Sequence, residues 1–212
     1  MSTALAWGEA IGFVEVVGWS TSMVVLDTLE KAAGIRLLQV EFNDLAGAMI
    51  KIAGPLAAVR SSVDAGQAKA DAMHVRCLTN VIPNPELQAQ AAWDAKPEYN
   101  PLMEQAVVKV PAQESTGNAM SEQAGFAVGL IETQGFTAIF EAIDTACKAA
   151  NVEVLAREKL GGGYITVVIK GDVAAVNAAI EAGKAKVDGL GKLIAAHVIP
   201  SPTKAVLSLL PK

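Results

Sequence analysis

Aromatic residues are scarce in this chain, at 5% of 212 residues, although 52% of the residues are apolar. A core must therefore be built from Ala, Val, Ile and Leu rather than from rings. There are only two cysteines, Cys77 and Cys147, which lie in otherwise apolar segments and form no Cys-x-x-Cys pair. This excludes a disulfide framework and fits a reduced, cytosolic protein. Basic charge is not in excess, because 17 Lys and Arg stand against 22 Asp and Glu for a net charge of −5. No basic stripe is available to follow a phosphate backbone, so the balance argues against nucleic acid as a partner. No uncharged apolar run approaches the roughly 20 residues of a spanning helix, which argues against a membrane. The N-terminal stretch carries Glu9 and Glu15 and lacks the basic-then-apolar order of a signal peptide.

What the chain does have is a run of three glycines, Gly161-Gly162-Gly163, between a charged segment and the β-branched run Tyr164–Ile169. Consecutive glycines allow positive φ or a very close approach. With a strand expected on each side, this is a turn at a sheet end. A phosphate-cradling loop would open a helix instead.

The sequence also repeats. Gly12-Phe13-Val14-Glu15 matches Gly129-Leu130-Ile131-Glu132 at an offset of 129 − 12 = 117. The same offset pairs Gly18 with Gly135, Asp27-Thr28 with Asp144-Thr145, and Lys31-Ala32-Ala33 with Lys148-Ala149-Ala150. It also pairs Glu41 with Glu158, Gly54 with Gly171, and Val81-Ile82-Pro83 with Val198-Ile199-Pro200. An ungapped register of this length means a duplicated domain. The first copy is placed at 8–95 and the second at 121–212. Between them, 96–120 holds Pro97, Pro101, Pro111 and a Gln-Glu-Ser-Thr-Gly-Asn run, the composition of a linker.

Within each copy the pattern predicts β-α-β-β-α-β. First strands are expected at Ala10–Val16 and Ala127–Thr133, and helices follow Gly18 and Gly135. The second helix of this pair carries the stripe Ile139, Ile143, Ala146, Ala150. Gly34 and Asn151 are expected to close the helices in left-handed conformation. Strands follow at Ile35–Val40 and Val152–Arg157, and then at Gly47–Ile52 and Tyr164–Ile169. A helix over about Asp172–Lys186, with Pro55 at the equivalent start in copy one, leads to strands at Val75–Ile82 and Leu193–Ile199. Helix-like tails follow at Glu86–Ala95 and Thr203–Leu210. The fold class is α/β (α+β): two tandem ferredoxin-like domains. A domain of ~85–90 residues buries a modest fraction of its surface alone, and one sheet face and the edges need cover, so an oligomer is expected.

Several stretches of copy two resemble bacterial microcompartment shell proteins. They are Gly-Leu-Ile-Glu-Thr-Gln-Gly-Phe (129–136), Asp-x-x-x-Lys-Ala-Ala-Asn-Val (144–152), Glu-Lys-Leu-Gly-Gly-Gly-Tyr (158–164), Lys-Gly-Asp-Val-Ala-Ala-Val (170–176) and His-Val-Ile-Pro-x-Pro (197–202). Two fused copies resemble the tandem members of that family, in which three chains form a pseudohexameric homotrimer. The resemblance implies a tile that packs with other shell proteins into a hexagonal layer enclosing enzymes, with a central pore for small metabolites. It implies pore-lining roles for Asn43, Asp44 and Leu45 of copy one and for Gly161, Gly162 and Gly163 of copy two. The family's edge lysine maps to Lys31 and Lys148. Its usual arginine between the late prolines is replaced by Asn84 and Ser201, also edge positions. Some tandem members hold an iron–sulfur cluster on a first-copy loop cysteine; here Phe42-Asn43-Asp44-Leu45-Ala46 has none, so no cofactor is expected.

No catalytic constellation competes with this reading. Glu41 and Glu158 read as strand-end charges satisfied locally, with no nucleophile or second acid nearby. His74 and His197 are offset by 123 rather than 117, and zinc-spaced ligands are missing. Cys147 reads as a packing residue, and Trp7, Trp19 and Trp93 are too scattered for a stacking platform. The alternative from another class is a ligand-binding sensor, since duplicated ferredoxin-like domains also bind small molecules.

Overall fold

The computed structural model describes residues 5, 8–42, 47–86, 89, 93–94, 98–100, 105–110 and 125–210. In the first repeat, strand β1 (Ala10–Val17) leads to helix α1 (Trp19–Ala32), strands β2 (Arg36–Phe42) and β3 (Gly47–Gly54), helix α2 (Leu56–Ala72) and strand β4 (Cys77–Ile82). Short strands β5 (Glu98–Asn100) and β6 (Gln105–Lys109) follow. The second repeat runs β7 (Ala127–Gln134), α3 (Phe136–Ala149), β8 (Glu153–Gly161), β9 (Tyr164–Gly171), α4 (Val173–Lys184), β10 (Lys192–Pro200) and a closing helix α5 (Lys204–Leu209). The β-α-β-β-α-β order expected from the pattern is present in both copies.

The strand orders are β4-β1-β3-β2 and β10-β7-β9-β8, with every neighbouring pair antiparallel. Duplication is visible in the register itself. Ala10 pairs with Gly54 and Ala127 with Gly171, and Gly12 pairs with Ile52 and Gly129 with Ile169. A β-bulge between Leu37 and Gln39 recurs between Val154 and Ala156, again 117 residues on. Bulges re-aim the residues that follow them, so the shared bulge turns the two strands in the same way near their starts.

Small residues set the helix-to-sheet spacing. A Cβ on Gly183 would lie 2.8 Å from the carbonyl oxygen of Ala142 and from Ile131, so only glycine lets α4 come this close to α3. The core of the second repeat is aliphatic, with Ile131, Ile139, Ile165, Ile169, Val176 and Ile180 buried together. Asp172 caps α4, its carboxylate accepting from Ala175 N–H at 2.8 Å, and its twin Pro55 stands at the same position before α2.

The sheet face that the sequence left needing cover carries, in the first repeat, a second apolar cluster. Leu5, Ile11, Leu38 and Ala53 are buried there, with Phe13, Ile82 and Trp93 packed against them. Phe13 and Trp93 meet edge to face at 5.9 Å.

The structure also differs from the sequence expectation in places. Part of 96–120, expected as linker, is strand: β6 extends the first sheet by pairing with the outer edge of β2, Val40 with Lys109 and Glu41 with Val108. An open strand edge offers unpaired N–H and C=O groups, which here outweigh the proline-rich composition. Gly34 and Asn151 do not take the left-handed conformation; α3 instead closes at Ala150 in extended geometry, φ −153°. Cys147, expected to pack, is exposed. The tail expected at Glu86–Ala95 lies mostly outside the described residues. The described residues form two compact units, one per repeat, and the second also takes in Gly18–Ser20.

Candidate functional site

The glycine run is a tight hairpin. Gly161 pairs with Tyr164, leaving Gly162 and Gly163 as a two-residue loop between β8 and β9. Their φ angles are +56° and +81°, and Gly161 stands at +78°. Positive φ at both central residues is the mirror-image turn that matches strand twist, which explains the glycines without any ligand. The loop is braced from β7: Gly135 N–H donates to Gly163 O at 2.9 Å, and Gln134 Nε2 to Gly162 O at 3.4 Å. Gly162 and Gly163 are exposed at the end of the sheet. Their first-copy counterparts Asn43, Asp44 and Leu45 lie outside the described residues.

The edge candidates sit on the helices. Lys31 Nζ donates to Asp27 and Lys148 Nζ to Asp144, each at 2.5 Å. Both are pairs one helical turn apart, so the local explanation of their retention is realised in both copies. Their settings differ, because the Lys31 side chain is 31% exposed and that of Lys148 is 74%. The hydrogen bond from Lys148 to Asp144 holds that ammonium above its ordinary pKa. Asn84 is exposed, and its twin Ser201 takes a left-handed φ of +47° just after β10.

Two buried polar clusters escaped the sequence reading. Lys51, on β3, is nearly buried and donates to Glu41 Oε1 and to the carbonyl of Trp93, and to Gln39 Oε1 at 2.7 Å. Glu41 is thus satisfied locally, as expected. The available signal was a lysine inside an apolar strand whose twin is Val168.

The second cluster centres on Glu132, which is fully buried on β7. Its Oε2 accepts from Ser20 N–H at 2.9 Å and from Ser20 Oγ at 2.6 Å. Burial pushes the Glu132 carboxyl above its ordinary range, while the Ser20 hydrogen bonds act the other way. Ser20 is the second residue of α1, so the carboxylate satisfies one of the N–H groups that a helix start leaves open. The signal here was the glutamate that ends the Gly-x-x-Glu match in both copies.

The BMC domain family model matches this chain twice, over residues 10–85 and 127–202. The chain belongs to the BMC domain family. The two BMC domains are offset by 127 − 10 = 117, the spacing of the internal repeat. The bacterial microcompartment shell protein PduA of Citrobacter freundii is 48% identical over 86 residues, covering 41% of this chain and 92% of the relative. The carboxysome shell protein CsoS1B of Hydrogenovibrio crunogenus is 47% identical over 88 residues, covering 41% and 91%. A solved microcompartment protein from Desulfitobacterium hafniense is 29% identical across 94% of this chain and 96% of its own, with a TM-score of 0.35.

Proposed function

We infer that this tandem BMC protein is a non-enzymatic structural tile of a microcompartment shell in the bacterial cytoplasm. Three chains close into a pseudohexameric ring that packs with other shell proteins into a hexagonal layer around encapsulated enzymes. The observation that carries this reading is the double BMC match, together with shell proteins that are 47–48% identical to single copies. In the ring, six turns surround a central hole for small metabolites. Gly161, Gly162 and Gly163 come from one repeat, and Asn43, Asp44 and Leu45 from the other. Turns of two kinds would reduce the hole from six-fold to three-fold symmetry and set its width and charge. Lys31, Lys148, Asn84 and Ser201 take the tile edge.

Light scattering should give a mass near 3 × 21.9 = 65.7 kDa. Electron microscopy of concentrated protein should display a hexagonal lattice. A strictly monomeric protein with no lattice would remove this reading.

A further inference from the structure

The chain treats the same helix stripe in two ways. On α1, Trp19, Met23, Asp27 and Lys31 follow at intervals of four and share one side of the helix. Trp19 and Met23 are 1% and 0% exposed. On α3 the twin stripe is Phe136, Phe140, Asp144 and Lys148, and its two phenyl rings are 40% and 53% exposed. They lean edge to face at 6.2 Å. Two neighbouring open rings, in a chain with five phenylalanines, form a surface that water does not favour.

The starts of these helices differ in the same sense. At α1 the Glu132 carboxylate takes both donors of Ser20. The offset of 117 carries Ser20 to Thr137 and Glu132 to Glu15. The position keeps a hydroxyl and the partner keeps a carboxylate. Yet α3 begins after Gly135 with no side-chain cap, Thr137 is exposed, and Glu15 is only half-buried. Among the described residues neither the Thr137 nor the Glu15 side chain has a hydrogen-bond partner.

We propose that the Phe136–Phe140 face of α3 docks a second copy of this chain, whose Glu15 accepts from the N–H and Oγ1 of Thr137. The partner is a second copy because the missing carboxylate has a matching residue, Glu15, in the first repeat of the same sequence. A contact joining the second repeat of one molecule to the first repeat of the next is head-to-tail, and repeats until a ring closes. The inference rests on the ring reading above and names the surface that closes it.

The test is dilution of the purified full chain, followed by light scattering, with helix content monitored by circular dichroism. Phe140→Asp changes an exposed residue, so the fold should persist while the concentration for half-dissociation rises at least about tenfold. Thr137→Val and Glu15→Ala should each raise it less, and together by less than the product of their separate effects, because both remove the same bond between the Thr137 hydroxyl and the Glu15 carboxylate. Assemblies unchanged in all three variants would overturn the assignment. So would variants that keep the wild-type oligomer but no longer form sheets, since the face would then belong to contacts between tiles. A wild-type chain that is monomeric at every concentration would instead defeat the ring reading itself.

Discussion

Gly135 donates its backbone N–H to the carbonyl of Gly163 at 2.9 Å, tying the end of β7 to the β8–β9 turn. The turn is therefore held from outside as well as bent by its own glycines. A side chain at Gly162 must adopt φ near +56°, which costs most residues roughly 1–2 kcal/mol. Gly162→Val should lower the denaturation midpoint clearly, whereas Gly162→Asn, whose side chain tolerates that region, should lower it much less. Equal losses would mean that crowding, not backbone conformation, demands the glycine.

Lys51 should prove a structural cation. Lys51→Met removes one donor from buried Gln39 and frees Glu41 and the Trp93 carbonyl, at an expected cost of about 1–3 kcal/mol. Because Glu41 is partly exposed and can rehydrate, the loss should fall short of that for a fully buried pair. Trp93 should also become easier to quench in fluorescence. Unchanged stability and quenching would show that the lysine binds nothing that matters to the fold.

Glu132 makes stability depend on pH with a definite sign. Burial raises its pKa in the folded state above the ordinary 4.5. Below 4.5 the group is protonated in both states and contributes no penalty. As pH climbs from 4.5 through the raised value, the unfolded chain ionises first and stability falls, and the loss remains at higher pH. Glu132→Gln keeps an acceptor for Ser20 and removes the titration. Its denaturation midpoint should fall less than that of the wild type between about pH 4 and pH 7. An identical slope in both proteins would place the dependence elsewhere.

The edge assignment is tested by charge reversal. Lys148→Asp alters an exposed helix surface, so the melting temperature and the mass in solution should stay unchanged while sheet formation is lost. Lys31→Asp should act likewise on sheets and also place a carboxylate beside Asp27, in a less exposed setting, with a modest loss of stability. Sheets that persist in the double variant would return both lysines to a purely local role.

Much of the architecture was legible because it is local. The β-branched and apolar runs, the glycine punctuation and the 117-residue offset each act within a few residues or within one copy. Strand existence, helix existence and the β-α-β-β-α-β order followed from them. The strand in the 96–120 segment was not legible, because its pairing with β2 depends on a strand edge 67 to 69 residues away rather than on its own prolines. Lys51 was missed for a related reason. A charge in an apolar strand looks unfavourable until Glu41, Gln39 and the Trp93 carbonyl are gathered around it.

By itself, the order of residues determined that one domain occurs twice, that each copy is a four-stranded sheet with two helices, and that the family is that of the BMC domain. Tertiary structure alone decided that twin positions have different fates. Trp19 is enclosed while Phe136 stands open, and Ser20 donates to Glu132 while the Thr137 side chain has no hydrogen-bond partner among the described residues. The physical reason is distance along the chain. Burial and hydrogen bonding between residues 112 apart are settled by how the elements pack, and the local pattern shared by the two copies carries no information about which of them will be covered.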